Sequence, residues 1–191
     1  MKIAIGCDHG GFELKNIILG DFTKVFFSYP KLEGITNGKI QFKNILNDFE
    51  KQAPLYLKNN KMVSDANVGW HIMHSCLVIT SITKAIIASD PALYKKKFSW
   101  KAFFVLLLNK IPRGKAKAPK VVVPKADITC ADLEHHLAKA RDTVKSLELV
   151  SKDHYFEHPY FGKLKLKETI RFLEIHTTHH LNIIEDIVNN T

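Results

Sequence analysis

Between Lys95 and Lys125 the chain has no Asp or Glu, against ten Lys or Arg. Cysteine is nearly as scarce. Cys7, Cys76 and Cys130 are odd in number and widely spaced among 191 residues, which disfavours a disulfide framework and a cysteine-based zinc module. A reducing, cytoplasmic setting is the simplest expectation. Long apolar runs are missing too. The longest near the middle, Ala102 to Leu108, is far too short to cross a bilayer. The first residues reach Asp8, His9 and Glu13 before any apolar run develops, so no signal peptide is expected. No internal repeat competes for the architecture, which sets aside solenoid arrays.

What remains is a composition of 46% hydrophobic and 25% charged residues, that of a soluble globular protein with one domain and an appendage. The net charge of +9 is concentrated in the acid-free stretch. Such a stretch is either an electrostatic footprint for nucleic acid, anionic lipid or an acidic partner, or a solvated basic surface. It lacks interleaved aromatics, a Gly-rich phosphate cradle and a base-reading helix. The solvated surface is therefore the expectation, with neither nucleic acid nor a membrane as partner.

Helical periodicity dominates after about residue 40. Ile45, Leu46, Phe49, Ala53 and Leu57 make one stripe of a helix over Ile40 to Lys58 that Pro54 must bend or end. Ser64-Asp65 offers a cap for a second helix running to about Ala88, where Ser89-Asp90-Pro91 breaks the pattern. Ser99 to Ile111 reads as a short, very apolar helix that must be largely buried or lie at an interface. Arg113 to Lys125 reads as an extended connection. Asp127 to Val150 resumes helical spacing behind Thr129 as N-cap, Ser151 to Lys163 reads as a loop, and a last helix runs from about Lys165 to Val188. The sum is an all-α chain: an antiparallel four-helix bundle with one long crossover connection.

The densest chemistry lies in the last helix. His176 and His180 are four apart, so they share a face, on the stripe Leu173, His176, His180, Ile184, Ile187. Two imidazoles so placed can chelate a divalent ion; they can equally be hydrogen-bonded core residues. A third candidate is His74, which shares a helical face with Trp70, Leu77, Val78 and Ala85, broken only by Ser81. A buried imidazole needs a partner, and a metal can be one. His71 lies round the helix from that face and is the weaker choice. The adjacent His135 and His136 diverge around their helix and are assigned to structure.

Two stretches, Trp70-His-Ile-Met-His74 and His158-Pro-Tyr-Phe-Gly162-Lys-Leu followed by His176-Thr-Thr-His179-His180-Leu, resemble the DinB-like metal-binding four-helix bundles. Within them the likeness is to the branch with an HPxFG segment, and it covers the chain from about residue 40 onward. The resemblance implies one ligand from the second helix and two from the last: His74, His176 and His180, holding zinc, nickel or another divalent ion. It makes His179 a neighbour rather than a ligand, and gives His158 and Phe161 a place in positioning the last helix or lining a pocket mouth. It also implies a fold that is often dimeric, for which Phe103 to Leu108 offers a surface. Three histidines leave the ion an open position. A bound water would make a hydrolase and a bound thiol a transferase or isomerase, and the resemblance favours the thiol-dependent transferase, with a small molecule or thiol as partner. The rival from another class is a basic DNA-associated or scaffold protein without catalysis.

The opening stretch, MKIAIGCDHGGFELK, resembles the start of ribose 5-phosphate isomerase B, with Asp8 and His9 in the place of its sugar-phosphate contacts. The likeness stops near residue 20. The further βαβ units and the cysteine beside a Gly-rich loop that such an enzyme needs are missing, so an isomerase is not expected. Residues 1–37 are read as an N-terminal extension, with a helix from Gly11 to Phe27, and residues 38–191 as the bundle.

Overall fold

The computed structural model describes residues 35–114, 118–125 and 127–190, with residues 35–41 described by backbone alone. Cys7, Asp8, His9 and the helix expected from Gly11 to Phe27 lie outside the described residues. The fold is mostly helical: α1 (Ile35–Gln52), α2 (Val68–Ile87), α3 (Trp100–Leu108), α4 (Cys130–Ser146) and α5 (Leu166–Asn189). A two-stranded antiparallel sheet, β1 (Tyr155–His158) and β2 (Gly162–Lys165), precedes α5.

Phe42, Ile45, Leu46 and Phe49 give α1 one apolar stripe, and all four are buried. Pro54 ends the α-helix at Gln52 by passing it into a 3-10 turn, Ala53–Leu55. Leu57 therefore leaves the stripe it was expected to join, and it stands exposed. The cap of α2 is Asn67, three residues beyond the expected Ser64-Asp65. Its side chain accepts the Trp70 N–H at 2.8 Å, which satisfies one of the donors that a helix start leaves open.

α2 is the central helix, with buried residues from Val68 to Ile86 and contacts to both α4 and α5. Among the described residues it is the one helix long and apolar enough to cross a membrane, yet most of that window is buried inside the fold, as in the core helix of a globular protein. Ala85, expected on the His74 face, is exposed. Thr129 caps α4 as expected, in a reciprocal capping box with Asp132. From α4, Arg141 crosses to α1, donating to Asn47 at 2.7 Å and pairing with Glu50 at 2.8 Å.

The loop expected over Ser151 to Lys163 is instead largely the hairpin. Tyr155 pairs with Lys165 and His158 with Gly162, and Gly162 takes φ +74°, a conformation that glycine enters without steric cost. Four residues per strand are too few to show the period-two alternation that marks a strand. The hairpin is tied to the end of α2: Ser89 Oγ accepts the Tyr155 N–H at 3.0 Å, and Ile86 C=O accepts from His154 Nδ1 at 3.0 Å. Phe49, Ile72, Ile79, Leu137, Leu173 and Ile184 lie at the centre of a main apolar core, with Ile86, Leu147 and Leu166 in a smaller cluster.

Because Asn67 closes the helix that carries His71 and His74, replacing it by Ala should remove about 1 kcal/mol of stability. Thermal melts followed by circular dichroism should show a fall of roughly 2–4 °C.

Candidate metal centre

α2 and α5 bring the three expected ligands together. His74, His176 and His180 each present a ring nitrogen or equivalent donor within 4.8 Å of the others, and their ring centroids are 4.6 to 5.2 Å apart. Zinc–nitrogen bonds of about 2 Å place tetrahedral ligand nitrogens roughly 3.3 Å apart, so the separations here are at most about 1.5 Å wider than that spacing. His74 and His180 are buried and His176 is half-buried. His179 is half-buried, against the edge of His180 and outside the cluster; His135 and His136 sit against each other on α4.

Hydrogen bonds decide which nitrogen each ring can offer. His74 Nδ1 donates to the Val122 carbonyl at 2.8 Å, which leaves Nε2 with its lone pair. That carbonyl belongs to a 3-10 turn, Lys120–Val122, in the connection expected to be simply extended, and the buried Val122 side chain anchors it. His180 Nδ1 lies 2.9 Å from His71 Nδ1, and His71 Nε2 lies 3.0 Å from Ser64 Oγ. For His180 to offer its Nε2 lone pair, its Nδ1–H must donate to His71, and His71 Nε2–H must then donate to Ser64. Ser64 Oγ also accepts the Ala66 N–H, which fixes the hydroxyl in place. His71, set aside as a ligand, thus holds the ring of one. The third ring differs: His176 Nδ1 is buried and has no hydrogen-bond partner. An unmatched buried polar atom costs about 1–3 kcal/mol, which an ion shared by the three rings can offset. The donor set and this orphaned nitrogen fit a divalent metal.

Burial keeps these imidazoles neutral, the form that ligates. It holds His71 down to about 4, with His74, His179 and Arg113 adding positive charge nearby. It lowers His74 against the opposing Val122 bond, and lowers His176 and His180 well below the ordinary histidine range. Aromatic rings close the surroundings. Trp70 stacks on His74 at 4.8 Å, while Phe172, 5.8 Å from His176, receives the edge of His158. His158 in turn stacks on Phe161 at 4.2 Å, so this loop is packed onto α5 beside the cluster. Cys76 is fully buried and its thiol is pushed up to about 12, so it is no nucleophile at neutral pH. Cys130 opens α4, half-buried.

Comparison of the chain with family models, with curated proteins and with solved structures finds no match in any of the three.

Sequence reading missed the support given by His71, Ser64 and the Val122 carbonyl. The His71–His74 spacing, one turn of helix, was a usable signal for the first. A main-chain acceptor 48 residues away has none.

An unfolded histidine takes its proton below about 6.5, whereas His71 and His158 stay neutral down to about 4 in the fold. In that window the unfolded chain binds more protons, so stability is present above it and is lost as pH falls through it. For a buried ring such as His71 the loss is up to about 1.4 kcal/mol per pH unit. Chelator-treated protein should melt at progressively lower temperature between about pH 6.5 and pH 4; a flat profile contradicts this account.

Proposed function

We propose that this chain is a divalent-metal protein on the DinB-like four-helix-bundle plan, in which His74, His176 and His180 hold zinc or nickel and the site works on a thiol. The observation that carries the proposal is the meeting of three neutral imidazoles from two helices in an apolar surrounding, one with a buried nitrogen left unmatched. The helices α1, α2, α4 and α5, which contact one another, supply the bundle, and the segment from α3 to the start of α4 supplies the long crossover.

A divalent ion with three neutral nitrogen ligands retains an open position and lowers the pKa of a water or thiol that enters it. The chain's own residues do the rest. Val122 and the His71–Ser64 pair hold two of the rings in the ligating tautomer. Trp70 and Phe172 keep the surroundings of the rings apolar, which strengthens any charge interaction formed there. Cys76 is sealed in the core and does not supply the thiol, which on this reading is a co-substrate. The preference for thiol transfer over hydrolysis rests on the resemblance of the HPxFG and His-x-x-His-His stretches, and is settled by assaying both reactions.

Metal analysis of the purified full-length protein should find about one zinc or nickel per chain. His74→Ala, His176→Ala and His180→Ala should each abolish stoichiometric binding while leaving the helical circular dichroism signal in place. Metal-free native protein, or binding that survives all three changes, overturns the proposal. His71→Phe, which keeps an aromatic ring but cannot accept from His180, should weaken metal binding by about 10–100-fold. An isothermal titration with zinc in competition with a chelator reads this directly.

A further inference from the structure

The composition of α3 requires burial or a partner, and the structure supplies only part of the burial: Phe103 to Leu108 are half-buried and Trp100 is exposed. Of its nine residues, only Ala102 is buried. Ala102 and Leu106 pack on the main core. Trp100, Phe103, Phe104, Leu107 and Leu108 follow the i, i+3, i+4, i+7, i+8 spacing of a second, wholly apolar face. Trp100 is 60% exposed and Phe98, just before the helix, 64%. Ring contacts join them into one patch: Phe98 to Trp100 at 4.7 Å, Trp100 to Phe103 at 6.0 Å and Phe103 to Phe104 at 5.5 Å. The aromatics that the sequence reading did not credit to the basic stretch are therefore at its surface.

The rim of this patch is cationic. Lys95, Lys96, Lys97 and Lys101 are all exposed. Lys101 Nζ lies 5.9 Å from the ring centroid of Tyr160, which is itself exposed at the hairpin turn. No carboxylate occurs in the sequence from Lys95 to Lys125 to balance them.

We propose that this face is a docking surface for an anionic lipid bilayer, with Trp100, Phe98 and the outer side of α3 in the headgroup–acyl boundary and Lys95–Lys97 and Lys101 against lipid phosphates and carboxylates. Aromatic rings with a polar or charged margin suit that boundary, and basic residues beside an apolar helix are drawn to the negative surface potential of such membranes. The charge pattern decides between occupants. In a two-fold contact the patch would meet itself, bringing two lysine rims together with no carboxylate from the same segment to separate them. A single-stranded nucleic acid needs open ring faces on which bases stack. Here Phe98–Trp100 and Trp100–Phe103 meet at 88° and 89° while Trp100 and Phe104 lie at 25° with centroids 6.1 Å apart, so the rings are turned on one another and are not aligned as one continuous open platform. The surface is separate from the histidine cluster, and the inference stands whether or not that cluster holds an ion.

The test uses full-length protein and sedimentation with vesicles of phosphatidylcholine alone, or containing about a third phosphatidylserine. The expected result is binding to the anionic vesicles only, reversed by 0.5 M salt. Lys95→Glu, Lys96→Glu and Lys97→Glu combined, all at exposed positions that the fold does not use, should weaken binding at least roughly 100-fold, at about fivefold per lysine. Trp100→Ser should also reduce it, with the histidine cluster's metal content unchanged. Vesicle binding that is indifferent to lipid charge, or no vesicle binding, overturns the proposal. So does a patch-dependent dimer in analytical ultracentrifugation, or a preference for single-stranded oligonucleotide over anionic vesicles.

Discussion

Four imidazoles meet where α2 crosses α5, and every ring nitrogen taken out of water there has to be matched. That constraint organises the rest of the molecule. His74 is matched by a main-chain carbonyl from the connection between α3 and α4. His180 is matched by His71, and His71 by Ser64 in the turn before α2. His176 alone has a buried nitrogen unmatched. Gln52, Thr80, Thr83 and Glu174 also keep a buried oxygen without a partner, but within the cluster the unmatched atom is a nitrogen, the donor type that a metal takes.

The packing follows from the same demand. α2 must be covered on nearly all sides to keep His71 and His74 dry, and α4, α5 and the hairpin supply that cover. Ser89, His154 and Tyr155 tie the hairpin to the far end of α2, and the His158–Phe161 stack rests on Phe172, one turn before His176. The hairpin is thus part of what sets the position of α5. α3 contributes much less to this core, and its outer face is correspondingly available for something else.

The parts of this architecture legible in the residues are those carried by local periodicity and capping. The stripe Ile45, Leu46 and Phe49, the Thr129 cap and the 176/180 pair each announce themselves within two turns of helix. So does His74, by its apolar neighbours. What was not legible depends on distance or brevity. Asn67 caps α2 in place of Ser64-Asp65, and the Ser64 hydroxyl is engaged with His71 and the Ala66 N–H instead. The strands of the hairpin are too short to show alternation. Leu57 left its stripe because Pro54 closed the helix sooner than the apolar pattern did. The burial of α3 could not be judged without knowing how little of it the core would accept, and residues 1–34 lie outside the described structure.

The acceptor that orients His74 is a main-chain atom. Exchange of the side chain at 122 for another apolar one leaves that oxygen where it is, whereas inserting or deleting a single residue in the segment from Lys120 to Val122 carries it away. This turn therefore tolerates a change of side chain better than a change of length. A stretch that looks like the least constrained part of the chain is held to a strict count of residues by one ring on the helix beneath it.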